Sequence, residues 1–241
     1  MAKPLRLVAL ISGGGTTLQN LIDRAAAGSL GAEIVGVVSS RADVAGVERA
    51  GRAGLPVTVV TKNNALRAAV ANNNQTPDFS PTNGGSQARQ DAPPSSTPSG
   101  THMSPFAERV WSAVRRFRPD LVCLAGWLHL IAIPPEFRHK VLNIHPSLLP
   151  AFGGKGMYGH HVHQAVLAYG SKVSGCTVHF ADDTYDTGPI LIQRSVPVKE
   201  GDDPDTLAAR VFQAESEAYP EAIRLIAEGR VTIQGRRVVI S

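Results

Sequence analysis

Only two cysteines occur in the 241 residues, Cys123 and Cys176, each alone in an apolar segment and neither part of a C-x-x-C pair. That spacing excludes a disulfide framework and a cysteine-based zinc site, and reads as two buried thiols in a reducing compartment. Long apolar runs are missing as well. No stretch approaches the ~20 residues that cross a bilayer, and the opening "MAKPLRLVALIS" enters a glycine turn with no small-residue cleavage site. A cytoplasmic protein with no membrane partner is expected. Charge of one sign is lacking too, because the formal net charge of +4 is scattered. Arg115, Arg116 and Arg118 fall between Trp111, Val114 and Phe117 at helical spacing, which makes them the solvated face of an amphipathic helix rather than a nucleic-acid patch.

Two nucleotide signatures are also absent. The turn after the first apolar run is "ISGGGTTLQNL", where a dinucleotide fingerprint would need a third glycine at Leu18, and no G-x-x-x-x-G-K-[ST] occurs. The second run ends in Ser39 and Ser40, not in an acidic ribose ligand. What remains is a glycine turn leading into a helix, whose free N–H groups and positive end suit a monophosphate better than a dinucleotide or a triphosphate. A tight turn without a ligand is the alternative.

Short β-rich runs alternate with helical patterns. Leu5–Ile11 is followed by Leu18, Leu21, Ile22 and Ala25 at i, i+3, i+4 and i+7, and then by runs at 34–38, 57–60, 121–125 and 141–144. The pattern predicts an α/β, Rossmann-like, mostly parallel sheet with helices on both faces and its site beyond the carboxyl ends of the strands. From Val173 it changes: "VSGCTVHF" and "PILIQRSVPV" have no helix between them, so antiparallel edge strands are expected toward the C-terminus. Asp203 and Pro204 predict a helix start, Pro220 a bend or restart, and "VTIQGRRVVI" a hairpin turning at Gly235. One domain spanning 1–241 is expected, interrupted at 72–105 by a segment with too few apolar residues to offset its ordering entropy, hence a disordered insertion.

The stretch "LNIHPSLLPAF" presents Asn143 and His145 two residues apart at the end of a run, so both project from one face. An amide and an imidazole beside one cavity can donate to an oxygen that gains charge during acyl transfer. The other reading is a polar strand end satisfied by loop carbonyls. Asp186, in "DDTYDTGPI", either stands near His145 and favours its cation or caps the turn at Thr187 and Gly188. His160, His161 and His163 match no metal spacing and read as surface or capping residues at a loop–helix junction, and no metal is expected. His179, on an apolar strand, reads as a hydrogen-bonded core histidine.

"LISGGGTTLQNLI", "PDLVCLAGWLHLI", "LNIHPSLLPAF", "GCTVHFADDTYDTGPIL" and "ARVFQAESEAYP" together resemble the phosphoribosylglycinamide formyltransferases, folate-dependent enzymes of purine synthesis, over nearly the whole chain except 72–105. The resemblance implies formyl transfer from 10-formyltetrahydrofolate, a co-substrate, to phosphoribosylglycinamide. Asn143, His145 and Asp186 match the catalytic trio, with Asp186 holding His145 cationic. Gly15, Thr16 and Thr17 match the loop holding the substrate phosphate, and Glu215 the residue contacting the ribose. Leu128, His129, Leu130 and Ile131 match a strand end lining the folate pocket, with Asp182, Asp183, Thr184, Tyr185 and Asp186 as its other wall. A homodimer is one assembly it allows.

There are departures. Thr17 stands where many relatives have asparagine, His129 replaces a common arginine, and the arginine usual before the helix at Phe106 has no clear counterpart. Methionyl-tRNA formyltransferase, formyltetrahydrofolate hydrolase and a non-catalytic phosphosugar binder are the alternative readings.

Overall fold

A computed structural model describes residues 4–62 and 103–241. Seven strands form one sheet in the order β3-β2-β1-β4-β5-β6-β7: β1 (Leu5–Ile11), β2 (Ala32–Ser39), β3 (Val57–Val59), β4 (Leu121–Leu124), β5 (Val141–His145), β6 (Val173–Phe180) and β7 (Ile190–Pro197). The first five are mutually parallel, and β6 and β7 pair antiparallel at one edge. Both features follow the sequence pattern.

Period-two alternation feeds two cores. Leu7, Ala9 and Ile11 of β1 pack on one side with Leu18 and Leu21 of α1 (Thr16–Ala26), Ala50 of α2 (Ala45–Arg52), Val162 and Val166 of α4 (His160–Tyr169), and Leu207, Val211 and Tyr219 of α5 (Pro204–Ala227). Val8 and Leu10 face the other side, against Val110, Trp111 and Val114 of α3 (Pro105–Arg116). Strands covered on both faces must be apolar at nearly every position, which is why they read as continuous runs. Both cysteines are buried and free.

The last three residues of the expected insertion fall among the described ones and belong to the fold, so its boundary at residue 105 is too long. Ser104 caps α3, its hydroxyl oxygen accepting from the Ala107 N–H at 3.2 Å, and Pro105 takes the first helical position. The rest of that expectation lies outside the described residues. The helix also ends at Arg116, leaving Arg118 beyond it with φ 47°.

Asp203 and Thr206 close a reciprocal capping box at the start of α5, as the sequence suggests. Pro220 does not restart that helix. Lacking an N–H, it frees the Ser216 carbonyl four residues earlier, and α1 supplies the donors instead: Asn20 Nδ2 at 3.0 Å and Arg24 Nη2 at 3.4 Å. The helix therefore continues, with Ala218, Tyr219, Pro220, Ala222 and Ile223 buried. A separate hairpin, β8 (Val231–Gln234) and β9 (Arg237–Ile240), turns at Gly235.

Candidate active site

The carboxyl ends of β4 and β5 and the start of α1, the helix that follows β1, open onto one cavity of about 450 Å³, next to the point where β1 is flanked by β2 on one side and β4 on the other. Asn143 and His145 reach it together. The antiparallel register of β5 with β6 pairs Asn143 with His179 across the ladder, and the segment after β6 then turns back to bring Asp186 within reach of both imidazoles.

Hydrogen-bond direction places one proton on each of these rings. His145 is 4% exposed, and its Nε2 lies 2.9 Å from the Phe152 carbonyl. A carbonyl only accepts, so Nε2 carries a proton. Nδ1 is left facing Asp186 Oδ2 at 3.6 Å. By the same logic His179 Nδ1 donates to the Phe180 carbonyl at 3.2 Å. Its Nε2 stands 3.1 Å from Asn143 Nδ2 and 3.7 Å from Asp186 Oδ1. In the neutral ring that nitrogen accepts from the carboxamide and so orients it.

Asp186 is anchored by more than these rings. Its Oδ2 accepts the Gly154 N–H at 2.9 Å, and its backbone sits in the left-handed region at φ 56°. Burial works to raise its carboxyl, but His179, His145 and the Gly154 N–H outweigh it, and the group stays below its usual value. His145 behaves oppositely. Burial pushes its pKa below the ordinary histidine value, the pull of Asp186 and of the Phe152 carbonyl notwithstanding, while His179 adds to the lowering. Desolvation of the ring thus works against the pull of Asp186 on its cation.

The opposite side of the cavity comes from the glycine turn and α5. Gly15 begins α1 with φ 71°, and a side chain there would strike Gly46 Cα. No side chain caps this helix and its first turn has no acidic residue, so the amides of the first turn and the positive end are left for an anion. Thr16 and Thr17 line the cavity, whereas Gly15 shapes the turn from behind. Arg49 Nε holds the Gly14 carbonyl at 3.0 Å. Glu215, half-buried on the α5 wall, has no hydrogen-bonding or cationic partner among the described residues, and burial pushes its carboxyl up to about 7.

A family model for formyl transferases matches residues 5–223. The chain belongs to the formyl transferase family. A chloroplastic phosphoribosylglycinamide formyltransferase from Vigna unguiculata is 35% identical over 94% of this chain and 62% of its own length. A trifunctional purine biosynthetic protein adenosine-3 from Bos taurus is 36% identical over 96% of this chain and 19% of its own length. The chain thus spans less than two thirds of these curated relatives. The crystal structure of glycinamide ribonucleotide transformylase 1 from Symbiobacterium toebii has a TM-score of 0.77 at 37% identity, covering 98% of this chain and 94% of that one.

In this formyl transferase chain the residues expected to wall a folate pocket divide. Leu128, His129, Leu130 and Ile131 line the cavity, but they follow β4 as irregular chain rather than forming its end. Leu128 and Leu130 are 48% and 44% exposed, a large apolar offering at a cavity mouth. His129 packs edge-on against Phe106 and Trp127, and burial, then Lys62, lowers its pKa. Asp182, Thr184 and Tyr185 line the same cavity. Asp183 does not: its Oδ1 accepts the Ile133 N–H at 2.8 Å, and it borders a second, smaller cavity.

Two histidines of this formyl transferase carry more than the sequence suggests. His163 is buried on the cavity side of α4 with its Nδ1 unpartnered, where a surface or capping residue was expected. Its position between Val162 and Val166 on the apolar stripe was the available signal. His160 instead pairs with Asp205 at 3.0 Å on the surface. Among the described residues no group of three or more histidines, cysteines or acids could hold a metal ion. His179 is a core histidine as read, yet it also meets Asn143 and stands 3.7 Å from Asp186, and only strand register reveals that. No helix of the described residues is long and apolar enough to cross a membrane.

Proposed function

We propose that the chain transfers the formyl group of 10-formyltetrahydrofolate to the amine of phosphoribosylglycinamide. One observation carries the reading: Asn143, His145 and Asp186 meet in a single cavity, with His145 Nδ1 3.6 Å from Asp186 Oδ2, opposite a helix N-terminus free of acidic residues. The amides of Gly15, Thr16 and Thr17 hold the phosphate, and Glu215 takes the ribose hydroxyls. The apolar mouth at Leu128 and Leu130 receives the pterin, with His129, Ile131 and the residues from Asp182 to Tyr185 around it.

In the reaction the amine adds to the formyl carbon and an electron pair moves onto the formyl oxygen. Asn143 retains one amide hydrogen beyond the one turned to His179, and donates it there. The neutral His145 Nδ1 accepts the proton that the attacking nitrogen must shed. The cation so formed lies between Asp186 and the new oxyanion, two negative neighbours present together only in the tetrahedral state. Burial that disfavours the charge beforehand thus makes the stabilisation specific to the transition state. Collapse of the adduct breaks the bond to the folate N10, which takes that proton.

The reaction uses no metal, formyl folate enters as a co-substrate, and nucleic acid and membrane play no part. The cytoplasm is the proposed compartment and a homodimer the proposed assembly. Incubation with both small molecules should release tetrahydrofolate only when the phosphorylated amine is present. Release without an acceptor would indicate a hydrolase, release requiring methionyl-tRNA a tRNA formyltransferase, and binding without release a non-catalytic protein. Asn143→Ala should lower turnover about 10²- to 10³-fold.

A further inference from the structure

The segment 181–189 between β6 and β7 carries Asp186 and is braced from within at nearly every point. Asp182 accepts from the Thr184 N–H at 3.0 Å and from the Thr187 hydroxyl at 2.8 and 3.0 Å. Gly188 lies so close to the Phe180 carbonyl that a side chain would overlap it. Asp186 itself is held by Gly154. The outward-facing carbonyl of Thr187, next in sequence to Asp186, is taken by an element from elsewhere in the fold: Arg236 Nη2 donates to it at 2.7 Å.

Arg236 is well placed to act as a fixed strut. It follows Gly235, φ 61°, in the tight turn of the β8 and β9 hairpin. Val231, Ile233 and Val238 of that hairpin pack against the main core, and Arg230 Nε closes its base on the Ser241 carbonyl at 2.6 Å. The hairpin lies beyond residues 5–223, the region shared with the family model. A C-terminal hairpin therefore touches the formyl transferase core next to Asp186.

We propose that Arg236 is a positioning residue for Asp186, holding the Thr187 carbonyl so that the carboxylate stays in register with His145. The inference rests on the role given to Asp186 above. Because Thr187 is exposed, water can replace the guanidinium at its carbonyl with little effect on folding. The loss instead falls on turnover, since the carboxylate gains freedom just where the imidazole needs it.

The test compares wild type, Arg236→Ala, Arg236→Lys and Asp186→Asn in the full chain. Arg236→Ala should lower kcat about three- to tenfold, the worth of one such hydrogen bond, with KM for both substrates and Tm unchanged. Arg236→Lys should restore most of the loss, because an ammonium can donate to the same oxygen. Wild-type turnover in Arg236→Ala alongside an inactive Asp186→Asn overturns the positioning role while leaving the reading of the site intact. So does an activity loss that tracks a fall in Tm, or a failure of lysine to rescue. Full activity in Asp186→Asn removes the premise itself.

Discussion

At the scale of single residues, His145 and Glu215 are buried beside the same cavity and titrate in opposite senses. Burial lowers the histidine and Asp186 is the leading force raising it, so Asp186→Asn should move the His145 titration to still lower pH. Proton-detected NMR of the imidazole reads this directly, and an upward movement would contradict the pairing. His179 opposes its cation, and His145 in turn helps to lower the pKa of His163. For Glu215, whose carboxyl is pushed to about 7, the folded chain keeps a proton that the unfolded chain has already lost above the ordinary glutamate value. Stability should accordingly fall as pH rises through that window, by roughly 1.4 kcal/mol per unit. Glu215→Gln should flatten that slope in denaturant titrations at pH 5 and 7; an equally steep slope would show that the carboxyl is ionised throughout. The directions of these shifts were not legible beforehand, because spacing marks a buried face but does not say whether desolvation of one group outweighs its charged neighbours.

Between elements, the contacts that matter join the two sides of the cavity. The carbonyl that Pro220 releases on α5 is satisfied by Asn20 and Arg24 of α1, so the helix carrying Glu215 is tied to the helix whose N-terminus faces the proposed phosphate site. Asn20→Ala should destabilise the fold by about 1 kcal/mol, with the weaker Arg24 bond remaining. Urea unfolding measures it, and an unchanged midpoint would mean that water serves that carbonyl equally well. The sequence marks Pro220 as a disruption, which is what local backbone chemistry says. Donors from a helix two hundred residues earlier lie outside any local rule. Asp203, by contrast, caps α5 as predicted, since its partner Thr206 is three residues away.

For the whole molecule, the proposed site is assembled from α1, β4, β5, α5 and the loop after β6, so occupying it should couple these parts. Phosphoribosylglycinamide at a hundred times its dissociation constant should add about 2.7 kcal/mol of stability, read as a rise in Tm. The amine lacking its phosphate should give far less. Equal shifts would remove the phosphate assignment to the glycine turn. The sequence by itself determined the layered α/β architecture, the antiparallel edge, the Asp203 helix cap and the closing hairpin. It also singled out Asn143, His145 and Asp186, because periodicity, capping and turn chemistry act over a few residues and motif order is linear. Tertiary structure alone decided that His179 meets Asn143 beside Asp186, that Asp183 turns away, that burial lowers the pKa of His145, and that Arg236 reaches Thr187. Each of these depends on strand register or desolvation, quantities that exist only once distant segments are packed together.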